Sequence, residues 1–115
     1  MEELITNLHI HTKYSDGAAT HRELMKIALE IGLDVLITTD HNVYVENVEG
    51  YLREEKRQVL LLVGEEVHNP ERIPQKCHLL AFGVNRSMFA YAHSPQLLVD
   101  QINASGGLAF LAHPY

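Results

Sequence analysis

Two histidines stand two residues apart, His9 and His11, directly after Leu4, Ile5 and Leu8. That apolar run reads as a short buried strand. Side chains at i and i+2 of a strand share a face, so both imidazoles project together. Ser15-Asp16-Gly17 then breaks the strand and turns a carboxylate towards them. Two imidazoles and a carboxylate at a strand end begin a divalent-metal site. Further donors recur at Asp40-His41, Glu65-Glu66, His78 and His113, and 8 of the 115 residues are histidine. A lone histidine is more often a satisfied core residue than a ligand, but repetition at the ends of apolar runs weakens that reading here.

The donors carry different weights. Ser-Asp-Gly is ordinary turn chemistry, so Asp16 has a purely structural alternative. Asp40 fits a partner that orients a histidine better than it fits a direct ligand. Glu65 and Glu66 compete for one inward position, because neighbouring strand residues face opposite ways. His78 begins its apolar run instead of ending it, and strand-end reasoning does not place it. His21, His68 and His93 stand in polar or capping contexts and read as surface residues.

The elements that must position these donors follow from the patterning. Thr20-His21-Arg22-Glu23 fits a capping box. Leu24, Ile27, Ala28 and Ile31 recur as one apolar helix face, which Gly32 ends. Leu33 to Thr39 reads as a second strand, giving a strand–helix–strand unit with parallel strands. Val45, Val48 and Leu52 are spaced for a second helix. Val59 to Val63 is continuously apolar, the pattern of a strand covered on both faces. Asn69 to Gln75 holds two prolines and reads as a loop. Cys77 to Phe82 is a fourth apolar run. Ser94-Pro95 opens a helix carrying Leu98 and Ile102. Gly106-Gly107 closes it, and Leu108 to Ala112 is a fifth strand. The expectation is an α/β domain over residues 1–115, with about five mostly parallel strands alternating with helices. Sites in such folds form at the C-terminal ends of strands, where most of these donors fall.

A length of 115 residues suits one domain with a modest core. The net charge of -6 argues against a nucleic-acid module held by a basic surface. An enzyme that meets phosphates through bound cations is compatible with it. No run approaches the ~18 apolar residues of a membrane helix, and no basic-then-apolar leader is present. The lone Cys77 has no internal disulfide partner and points to a reducing compartment, so a cytoplasmic location is expected. It reads as a small core residue, not a nucleophile.

Together, His9-x-His11, Ser15-Asp16-Gly17, Thr39-Asp40-His41-Asn42, Gly64-x-Glu66, His78 and Ala112-His113-Pro114 resemble the PHP (polymerase and histidinol phosphatase) family. The resemblance runs from Asn7 to Pro114. It implies a metal-dependent phosphoesterase on a distorted seven-stranded β/α barrel with a di- or trinuclear cluster. Carried across by position, it puts His9, His11 and Glu66 on one metal and Asp16 and His41 on a second. His78 and His113 hold a third, with Glu66 bridging the first and third. This selects Glu66 over Glu65, places His78, and leaves Asp40 outside the ligand set. The family also carries a later Asp-x-His that this sequence does not reach. The expected fold is therefore a partial, truncated barrel lacking its C-terminal part.

The activity implied is hydrolysis of a phosphate ester by water activated between cations. The substrate class is a phosphorylated small molecule or a nucleotide. Two or three divalent ions are implied, and the mixed nitrogen and oxygen donors suit zinc, manganese or iron better than magnesium. With the later Asp-x-His absent, a metal-binding or regulatory module without turnover is the alternative. A proofreading-type nuclease domain ranks last, since no basic channel is evident. Five strands of seven leave open edges, so a homo-oligomer or a complementing C-terminal segment is expected as partner, and a membrane is not.

Overall fold

The computed structural model describes residues 3–71 and 78–112. Its elements are β1 (Thr6–Ile10), α1 (His21–Ile31), β2 (Val35–His41), β3 (Gly50–Glu54), β4 (Arg57–Val67), β5 (Leu79–Phe82), α2 (Pro95–Ala104) and β6 (Leu108–Leu111). The capping box forms as read: the Glu23 amide donates to Thr20 Oγ1 and the Thr20 amide to Glu23 Oε1. Gly32 ends α1 in the left-handed region at φ 85°. The buried stripe of α1 runs through Met25, Ala28 and Leu29, while Ile27 and Ile31 are exposed. The helix is rotated from the expected face because Met25 and Leu29 pack on Leu36, Val59 and Leu61, alternate residues of β2 and β4. A second core gathers Val67, Leu79, Ala81, Val84, Met88, Leu98 and Ile102 under α2.

The sheet runs β1-β2-β4-β5-β6, with β3 pairing to β4 off that path. β1, β2 and β4 are parallel neighbours. β5 is antiparallel to β4, and β6 to β5. Four strands, β1, β2, β4 and β6, thus run one way, and β3 and β5 run back. This is the α/β architecture of a partial β/α barrel, with six described strands where about five were expected.

Two expectations change. Val45, Val48 and Leu52 lie on no helix; Leu52 belongs to β3, which forms a hairpin with β4. Asn47 at φ 62° and Gly50 at φ 150° are outside helical geometry, and Glu55 at φ 53° makes the hairpin turn. The apolar run in β4 is covered on one face only. Val59, Leu61 and Val63 are buried, but Leu62 on the opposite face is exposed. Cys77 and His113 lie outside the described residues.

Candidate metal centre

The parallel register of β2 and β4 puts His41 beside Glu66. At the same edge β1 ends, delivering His9 from within an irregularity between Asn7 and Ile10, and His11 just after it. His78 arrives from the other direction. Because β5 is antiparallel, its beginning lies against the end of β4, with Leu79 opposite Val67. A residue before β5 therefore reaches the same edge as residues at the ends of β1, β2 and β4. The His78 carbonyl accepts from the Ala112 amide at 2.8 Å, which ties the end of β6 to this edge.

The Glu66 carboxylate is fully buried and lies among four imidazoles. Its Oε1 stands 2.5 Å from His9 Nε2 and 3.3 Å from His11 Nε2. Its Oε2 stands 2.8 Å from His78 Nδ1 and 3.6 Å from His41 Nδ1. Asp16 meets the cluster from outside, with Oδ2 3.2 Å from His41 Nε2 and Oδ1 3.9 Å from His11 Nδ1. The His11 and His41 rings stack at 4.3 Å. Burial works to raise the Glu66 carboxyl, but hydrogen bonds from His78 and His9 and the charges of His41 and His9 hold it below the usual range.

Glu65 faces the other way. Its buried carboxylate accepts from Ser87 Oγ and the Met88 amide, both at 2.7 Å, and burial pushes it upward against those two bonds. Gly64 permits the close passage of β5: a Cβ there would stand 2.7 Å from the Ala81 carbonyl oxygen. Among the described residues the hydrogen bonds to Asp40 come from Thr12 and Ser15, not from a histidine. Its Oδ1 accepts from the Thr12 amide at 2.7 Å and from Ser15 Oγ at 2.6 Å, and its Oδ2 from Thr12 Oγ1 at 2.8 Å. It pins the turn that carries Asp16.

Two histidines read as surface residues are not. His21 is buried at the start of α1, its ring 5.6 Å from that of Tyr14. His68 is half-buried and stacks on His78 at 4.5 Å, with its ring edge-on to His41 at 5.2 Å. Burial first, then His78 and His41, hold its imidazole below the usual histidine value against the pull of Glu66. The available signal was spacing: Glu66 and His68 are i and i+2, hence on one face of an extended chain. His93 is exposed, as expected.

Among the described residues three groups could hold a cation: His9, His11 and Glu66; His11, Asp16 and His41; and His41, His68 and His78. In each, the ligand atoms lie within 4.8 Å of one another. Three ring nitrogens of these groups, Nδ1 of His11, His41 and His68, are buried without a hydrogen-bond partner. Such an orphan costs about 1–3 kcal/mol, which a cation would offset by accepting the lone pair. Neutral imidazole and carboxylate are the forms that ligate divalent metals, so the donor set fits such ions.

The sheet and this centre describe an α/β protein of partial barrel type with histidine and carboxylate donors gathered at one strand edge. The PHP domain family model matches residues 7–98, and the chain belongs to that family, one of metal-dependent phosphoesterases. An uncharacterized protein of Methanocaldococcus jannaschii is 30% identical over 120 aligned positions, covering 95% of this chain and 67% of that protein.

Proposed function

We propose that this chain carries a phosphoesterase metal centre and hydrolyses a phosphate ester of a small molecule or nucleotide. The observation that supports this most is the buried Glu66 carboxylate, shared by imidazoles at the ends of β1 and β2 and just before β5, with orphaned ring nitrogens among them. His9, His11 and Glu66 would hold one cation and Asp16 and His41 a second. His78 would hold a third with His113, whose position lies outside the described residues. Zinc, manganese or iron suits these donors. Bound cations supply Lewis acidity, lowering the pKa of water and neutralising charge on phosphoryl oxygens.

The chain's own residues set the geometry. Glu66 holds its two carboxylate oxygens within 2.5 Å of His9 Nε2 and 2.8 Å of His78 Nδ1, so donors from both sides face one buried carboxylate. Asp40 holds the turn at Thr12 and Ser15 so that Asp16 faces His41. Cys77 has no assigned part. Hydrolysis of an aryl phosphate by protein loaded with manganese or zinc, lost in His9→Ala, is the expected result. Metallated protein inert on a broad panel of phosphomonoesters and phosphodiesters would support a metal-binding module without turnover instead.

A further inference from the structure

We propose that His68 is a metal ligand, completing with His41 and His78 an all-imidazole seat beside Glu66 that takes a zinc-class cation. The proposal rests on the metal-centre reading above and departs from its grouping: His41 and His78, given there to two different cations, meet here on one with His68, a position to which the family pattern quoted for this chain assigns nothing. Three observations carry it. The ligand atoms of His41, His68 and His78 lie within 4.8 Å of one another. The Nδ1 atom of His68 is buried and makes no hydrogen bond. The backbone at His68 is also fixed: its amide donates to Asn42 Oδ1 at 2.9 Å, while the Asn42 amide donates to the Glu66 carbonyl at 3.0 Å. Asn42 does this at φ 55°, a left-handed conformation that asparagine tolerates better than most residues. The clamp joins the ends of β2 and β4 and sets residues 41, 66 and 68 in one frame.

The donor chemistry selects the ion. Three neutral imidazoles bring no charge and no oxygen, a set used by zinc with a fourth position open. Magnesium and calcium prefer oxygen ligands. The structural alternative is that His68 only stacks on His78. His68→Phe separates the two, because phenylalanine keeps the ring and removes the nitrogen.

The 115-residue chain and its His68→Phe variant would be loaded with zinc, dialysed, and compared for metal content and for affinity against a chromophoric chelator. The expected result is one zinc equivalent fewer, or affinity at one site lower by more than about tenfold, the least that losing even a supporting partner costs. The metal-free thermal midpoint should not fall, since the phenylalanine keeps the ring and removes a buried unpaired nitrogen. Zinc content and affinity equal to the parent would overturn the proposal. A second variant guards against misfolding: cobalt-loaded His68→Cys in a Cys77→Ser background should gain a thiolate-to-cobalt absorption band absent from Cys77→Ser alone. Absence of that band in folded protein counts against His68 as a ligand. If the folded parent holds no zinc at all, the metal-centre reading fails first, and this inference with it.

Discussion

Asp40 and His21 show how the residues around the centre act without touching it. Asp40 satisfies a buried amide and two hydroxyls at Thr12 and Ser15. In Asp40→Asn the amide group must turn an N–H towards a donor, leaving a buried group unpaired. The expected cost is about 1–3 kcal/mol in urea unfolding. Cation affinity at Asp16 should fall about 10–100-fold by calorimetry, because the turn is no longer held. An unchanged affinity would show that Asp16 needs no such support. His21 responds to pH. Burial lowers its imidazole below the usual histidine value, with the Asp40 charge opposing. The unfolded chain therefore takes the proton first. Stability due to neutral His21 is present above about pH 6.5 and is lost as pH falls from there towards the lowered folded value. His21→Gln should flatten that part of the profile relative to the parent, as measured by unfolding on either side of it.

At the scale of elements, the turn after β1 depends on Gly17. Its amide donates to the Thr12 carbonyl, and a Cβ there would lie 2.2 Å from the His11 carbonyl oxygen. The obstacle is backbone of a site residue, so it cannot move without displacing His11. Gly17→Ala should cost about 1–3 kcal/mol of stability, as overpacking does, and should weaken metal binding in the same protein. Full stability and metal content in this variant would mean that the turn has another conformation open to it. The direction of β5 matters as much. Were it parallel to β4, the residue before it would sit at the far edge of the sheet, away from Glu66.

For the whole molecule, the sheet face that carries the centre is also its exposed apolar face. Leu62 stands two and four positions before Gly64 and Glu66 on the same side of β4, with Ile37 beside it in β2. Leu108 and Phe110 continue the face on β6, opposite Phe82 and Leu80, and the Phe82 and Phe110 rings meet edge-on at 5.7 Å. Leu8, Leu62, Leu108 and Phe110 are all substantially exposed. Exposed apolar side chains gathered on one sheet face suit a contact site. We propose that a second copy covers it in the isolated chain. The chain should sediment as more than a monomer, and Phe110→Lys should shift it towards monomer. A monomer at every concentration would overturn this. Among the described residues no helix is long and apolar enough to cross a membrane.

The sequence offered His9-x-His11, Ser15-Asp16-Gly17, Asp40-His41 and Gly64-x-Glu66 as candidate ligand motifs because each occupies a few consecutive positions, and His9, His11, Asp16, His41 and Glu66 do lie together in the structure. Also readable were the caps of α1 and α2, whose hydrogen bonds span three or four residues. The rotation of α1, the hairpin in place of a helix at Val45 to Leu52, the reversal of β5 and the arrival of His68 required the tertiary structure. Each depends on which distant apolar surface an element meets, and the same spacing of Val45, Val48 and Leu52 serves a helix or a loop and strand equally well. His78 joins the centre for a reason that no stretch of sequence contains: its strand runs against its neighbour, and strand direction is decided by packing and pairing across the sheet.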